Sequence, residues 1–230
     1  MTDAHCHVTG GDPSVREFLI GRDFIGVHPW ESFGGLESLG GLGGLESWLR
    51  DKLTNPDIPN SEAPNLLPGV GEIGLDRLKE REISSLMREV FEVQLKLAFE
   101  FNRPVVLHGA KCWGQVVQTI QTFQTSQTSQ TFLFHGFSRS DGLIPDIVAL
   151  NGFISVGPAV LNDHAVNYRE LVKKIPIERL LIETDRTPEN AAECPSVREV
   201  AAAVATYRDM SLAELERITD ENAARFLNLI

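Results

Sequence analysis

The sequence predicts an α/β fold built from parallel strand–helix units. Three observations carry this. Short apolar runs and longer amphipathic stretches alternate seven times along the chain. A chain of 230 residues buries roughly 70% of its unfolded surface, so its core needs no covalent staple. Its composition, 42% hydrophobic and 23% charged, is that of an ordinary globular protein and excludes disorder over most of its length, collagen and a long coiled coil.

The elements follow in order. The runs TDAHCHV (2–8), DFIGVH (23–28), LLPGVGEI (66–73), RPVVLHG (103–109), TFLFHGF (131–137), GFISVG (152–157) and RLLIET (179–184) read as strands, several rich in Val, Ile and Phe and followed by Gly or Pro. The clearest helix spans 78–101, where Ile83, Leu86, Met87, Val90, Leu97, Ala98 and Phe101 share one face. Trp113, Val116, Val117 and Ile120 repeat that spacing. Ser211 and Glu214 form a capping box that opens a late helix, and Thr219 reads as the cap of a last one carrying Ala223, Phe226 and Leu227. Residues 34–47, where GGLES occurs twice, read as a flexible loop leading into the short helix LESWLRDKL. The Gln/Thr tract at 118–130 ends as a loop or frayed helix, and Pro56, Pro59 and Pro64 mark another loop. The strand–helix rhythm resumes after each, so residues 1–230 are expected to form a single domain. An open doubly wound sheet and a closed barrel both satisfy this pattern, although 230 residues is lean for a barrel, typically ~250.

Lys and Arg number 21 against 32 Asp and Glu, a net charge of −11, and no basic tract of five residues occurs. A passive nucleic-acid binder is disfavoured, because such binding rests on many Lys/Arg–phosphate contacts. An enzyme that meets a polyanion through bound cations is not. The three cysteines, Cys6, Cys112 and Cys194, contain no CxxC pair and suggest a reducing cytoplasm. MTDAHCHV has no signal-peptide character, and no apolar run is long enough for a membrane span.

Five of the six histidines lie in or at the end of expected strands. His5 and His7, two residues apart on one strand, project from the same face. His108 closes PVVLH, His135 closes TFLFH, Asp185 follows LLIET, and Glu72 stands in GVGEIGLD. In parallel α/β folds chemistry collects at the carboxyl ends of strands. Four imidazoles and two carboxylates there suit two borderline divalent ions sharing a bridging carboxylate.

HCH (5–7), GVHPW (26–30), GEIGLD (71–76), VVLHGAK (105–111), FHGFS (134–138), ETD (183–185) and DENAARFLNL (220–229), in that order, resemble the TatD-like metal-dependent hydrolases of the amidohydrolase-like superfamily, from about residue 3 to residue 229. The resemblance implies a distorted TIM barrel of seven or eight parallel strands with a metal centre at its C-terminal mouth. It implies two divalent ions, Zn, Mn or Mg, with Glu72 bridging, His5, His7 and Asp185 on one ion, and His108 and His135 on the other. It implies deoxyribonuclease activity, including removal of nucleotides from a 3′ end, with Asp185 and Glu72 as the catalytic carboxylates.

The chain departs from the family pattern around this set. Lys111 stands three residues after His108 where relatives carry an arginine two residues on, Arg139 occupies a position that is usually small, and Arg186 follows ETD. With His28 these are the substrate-binding candidates. Trp30 is expected to anchor its loop or to stack on a base, Asp76 to bond a ligand side chain or the backbone, and Gln94 to bond internally. Cys6 is expected to pack on the face opposite the histidines, and His164 carries no role. The expected partner is DNA, or a small phosphodiester, as a transient substrate, with no membrane and no stable protein partner. The competing functions are a small-molecule amide or ester hydrolase of the same superfamily and a non-catalytic metal-binding barrel.

Overall fold

A computed structural model describes residues 1–32, 34–55, 68–78, 81–123 and 129–230. The chain runs β1 (Thr2–Cys6), β2 (Arg16–Leu19), β3 (Phe24–Ile25), α1 (Gly34–Leu39), α2 (Leu42–Thr54), β4 (Gly69–Asp76), α3 (Ser85–Glu100), β5 (Val105–Ala110), α4 (Trp113–Phe123), β6 (Phe132–Phe134), α5 (Ile144–Ala149), β7 (Gly152–Val156), α6 (Val166–Lys174), β8 (Leu180–Ile182), α7 (Val197–Tyr207) and α8 (Leu212–Phe226). The fold class is the expected one, α/β with parallel strands. Eight strands occur among the described residues.

Two compact units make up the chain, one from Gly21–Phe132 and the other from Met1–Ile20 with Leu133–Ile230. In the first, β3, β4 and β5 pair in order and in parallel, with Ile25 beside Val70 and Gly74 beside His108. The β4 and β5 backbones approach so closely that a Cβ on Gly74 would lie 2.0 Å from the His108 carbonyl oxygen. The apolar faces of α2 and α3 supply a core that includes Leu45, Leu49, Leu53, Val90 and Leu95. Ser84 caps α3 by accepting from the Met87 amide at 3.1 Å.

In the second unit β1 pairs in parallel with β2, β7 pairs in parallel with β8, and β6 lies on the other side of β7. Phe226 of α8 sits between Phe18 and Phe153, at 6.3 and 6.0 Å between ring centroids. Buried Asn222 donates to the carbonyls of Ile177 and Leu180 at 2.8 and 2.7 Å, tying α8 to the start of β8.

Three expectations are corrected. Residues 34–47 are not a flexible loop: both GGLES copies lie in helices, because burying Leu36 and Leu45 beside Val27 and Val90 outweighs the helix cost of the glycines. Thr219 caps nothing, since α8 is continuous and the Thr219 hydroxyl donates to the Leu215 carbonyl inside it. β2 had no expected counterpart. Of the capping box at Ser211 the structure shows the Ser211 half, whereas a complete one opens α7 at Ser196 and Glu199. The 56–64 proline loop, residues 66–67 of the expected strand, residues 79–80 of the long helix and residues 124–128 of the Gln/Thr tract lie outside the described residues.

Candidate metal centre

Each unit carries its own cluster of imidazoles and carboxylates. In the 21–132 unit the cluster grows from two neighbouring strands. Glu72 and Asp76 stand four residues apart on β4, a spacing that puts both on one face. They meet the two nitrogens of His108 on β5: Nδ1 lies 2.6 Å from Glu72 Oε1 and Nε2 lies 2.7 Å from Asp76 Oδ2.

Asp76 also accepts from the Leu78 amide at 2.6 Å and from the Trp30 indole. Burial pushes its carboxyl up, but these donors and the His108 charge outweigh it and hold the pKa at about 2. An ionised Asp76 needs a proton on Nε2 of His108. Nδ1 is then the nitrogen that faces Glu72 at 2.6 Å, as a donor when the ring is charged and, when the ring is neutral, as a lone pair that a cation shared with Glu72 would take.

His28 follows the strand β3 by three residues and caps a 3-10 turn at Pro29–Glu31. Its Nδ1 accepts from the Trp30 amide at 3.1 Å, so its Nε2 carries the proton. That nitrogen faces His108 Nδ1 at 3.3 Å and Glu72 Oε1 at 3.5 Å. One ligand atom each from His28, Glu72 and His108 lies within 4.8 Å of the others. Gln94, buried on α3, holds this strand end: its Oε1 accepts from the Val27 amide at 2.6 Å and its Nε2 donates to the Val27 carbonyl at 3.1 Å.

In the other unit His5, His135 and Asp185 bring ligand atoms within 4.8 Å of one another. The rings of His5 and His135 stack at 3.9 Å. Asp185 Oδ1 lies 3.4 Å from His5 Nε2 and 3.7 Å from His7 Nε2. The backbone sets this up: the Asp185 amide donates to the His5 carbonyl at 3.0 Å, and the His7 amide to the Arg186 carbonyl at 2.8 Å. Asp185 holds a left-handed φ of 50°. Buried Glu183 accepts from the Gly136 amide at 2.8 Å and from the Ser155 hydroxyl, and lies 3.6 Å from His135 Nδ1. Asp3 is buried. Desolvation pushes its pKa up to about 7, against the hydrogen bonds from Thr184 and with help from the Glu183 charge.

A cavity of about 1040 Å³ in this unit is lined by Glu183, Asp185, Arg139, Tyr168, Lys174 and Asp141, among others. Lys174 is tied to Asp141 at 2.6 Å. Arg139 is exposed at its rim on a left-handed φ of 56°, and Lys111 is exposed after β5 on a φ of 57°. The Arg186 guanidinium is engaged within its own loop, donating to the Ala191 and Cys194 carbonyls at 2.8 and 3.2 Å.

Within the two units the expected ligands and one further histidine fall into two groups. His135 stands with His5 and Asp185, and His28 joins Glu72 and His108. Reading the sequence missed Asp3 and Glu183. A signal was available: each stands two residues before an expected ligand, Asp3 before His5 and Glu183 before Asp185.

The donor sets fit divalent cations. Each joins imidazole nitrogens to a carboxylate, and in the first the His108 and Glu72 ligand atoms lie 2.6 Å apart. Asp76 supplies the outer carboxylate that typically orients a ligating histidine.

A family model described as TatD related DNase matches residues 21–228. An uncharacterized metal-dependent hydrolase, YabD of Bacillus subtilis, is 31% identical over 75% of this chain and 69% of its own. A 3′-5′ ssDNA/RNA exonuclease TatD from Pantoea vagans is 26% identical over 74% of this chain and 68% of its own. The solved structure of YjjV, a TatD homolog from Escherichia coli, superposes with a TM-score of 0.72 at 23% identity, covering 99% of this chain and 98% of that one.

Proposed function

The chain belongs to the TatD-related DNase family of metal-dependent hydrolases, and from that premise we propose that it cleaves phosphodiester bonds at the ends of DNA with two divalent cations, one on each ligand cluster. The relatives named as single-strand exonucleases support the substrate class. The observation that carries the metal reading is His108: its Nδ1 meets Glu72 at 2.6 Å while its other nitrogen is committed to Asp76.

Glu72 and His108 would hold one cation, with the protonated Nε2 of His28 beside them, and His5, His135 and Asp185, with His7 beside them, the other. Zn or Mn suits the imidazole-rich sets, and the carboxylates also admit Mg. When bound, such cations polarise phosphoryl oxygens and acidify water. The remaining work falls to this chain. Asp185, 47% exposed and on the cavity wall, accepts the proton of the attacking water. Asp76 orients His108. His28 offers its Nε2 proton to a phosphate oxygen. Lys111 and Arg139 meet flanking phosphates, the lysine as a point charge and the arginine as a fork. The cations, not the field of a chain at −11, draw in the polyanion.

Stripping the protein with EDTA and reloading it with Zn, Mn or Mg before assaying end-labelled single-stranded DNA tests this. Metal-dependent shortening from the 3′ end is expected. Turnover of lactone or amide substrates alone would overturn the phosphodiester reading, and failure to retain any metal would overturn the centre itself.

A further inference from the structure

Trp30 is 50% exposed, the one exposed Phe, Tyr or Trp among the described residues. Exposed tryptophans are ordinarily free to swing, and this one is pinned. Its amide N–H donates to His28 Nδ1 at 3.1 Å, and Pro29 presets the turn that carries it. The indole N–H reaches Asp76, the carboxylate that orients His108. The ring lies edge-on to His28, with centroids 4.9 Å apart and planes at 70°, and 6.0 Å from His108. The polar edge is thereby spent inward, and half the ring is left to solvent beside the cluster that would take the scissile phosphate.

Taking the phosphodiester substrate proposed above as given, we infer that Trp30 is the stacking platform for the nucleobase next to the bond that is cut. A flat apolar surface held rigid at the edge of a phosphate site suits the flat group that a nucleotide carries nearest its phosphate. A base stacks on an aromatic ring whatever its identity, so the platform selects nucleic acid over other phosphodiesters without selecting sequence. Because the ring is fixed beforehand, little freedom is lost when the base arrives. The Asp76 bond also couples the platform to His108, so a base seated on the ring is in register with the metal ligand.

The test compares one metal-loaded preparation on two labelled oligothymidylates, one intact and one whose terminal residues are abasic. The readout is the ratio of their KM values for wild type, Trp30→Ala and Trp30→Phe. Wild type should favour the intact strand by roughly 5- to 150-fold, the range one base–aromatic stack carries. Trp30→Ala should collapse that ratio towards one, and Trp30→Phe should keep most of it. A purely structural role through Asp76 would instead weaken both substrates equally and leave the ratio unchanged, which would overturn the inference. So would a wild type with no preference for bases. If wild type cleaves neither strand, the nuclease reading fails. The platform is then judged by fluorescence anisotropy of the same two strands, and binding that does not depend on Trp30 sinks it too.

Discussion

His108 Nε2 lies 2.7 Å from Asp76 Oδ2, and this bond decides which nitrogen of the imidazole is left to face a cation. Removing the carboxylate frees the ring to take either tautomer and to turn. Asp76→Ala should therefore hold metal about 10- to 100-fold more weakly, as outer-shell losses commonly do. Competition with a chelating dye would measure it, and unchanged affinity would refute the orienting role.

His135→Ala and Glu72→Ala strike one cluster each. Both should lower the metal content of the purified protein, read by mass spectrometry of the ions, and both should bring hydrolysis to background. Dialysis against EDTA should do the same to the wild type, reversibly. A full complement of metal in either variant would remove that residue from the ligand set.

Gln94→Leu should destabilise the fold without touching a ligand. It leaves the buried amide and carbonyl of Val27 without their side-chain partners, at a cost of about 2 kcal/mol. For a chain of this size that is a fall of roughly 4–8 °C in Tm. Because Val27 precedes His28, the same variant should also loosen the turn that carries Trp30.

Cys112 should resist alkylation. Burial and then the Asp76 charge push its thiol up to about 12, against Arg77, and Sγ lies 3.2 Å from the Leu75 carbonyl. At pH 8 only about one such thiol in ten thousand is ionised, and the thiolate is the form that reacts. Peptide mass mapping after iodoacetamide should find Cys112 unlabelled in the native protein and labelled after denaturation. Rapid native labelling would contradict the burial.

The strands that carry ligands were the most legible part of the sequence. HxH at His5 and His7, and histidines closing apolar runs at His108 and His135, announce themselves because strand geometry is local. What escaped was decided by packing. The glycine pairs around Leu36 and Leu45 say loop, yet their leucines have a core to fill. The four-residue strand at Arg16–Leu19 exists because β1 lies beside it, and its own sequence is half polar. Thr219 has the side chain of a cap but sits where α8 has no reason to stop. The grouping of His135 with His5, and of His28 with Glu72, depends on where distant loops end, which no spacing within one strand records.

The backbone twist at Asp185 narrows what chemistry can ever stand there. A φ of 50° strains most L-residues by about 1 kcal/mol or more, and asparagine and aspartate bear it best. Of the two acidic amino acids only the shorter is at ease in that bend, so lengthening the arm to glutamate would disturb the main chain as well as the reach. Asparagine keeps the shape and deletes the charge. The position is thus a natural control on itself, a place where form and electrostatics can be varied one at a time.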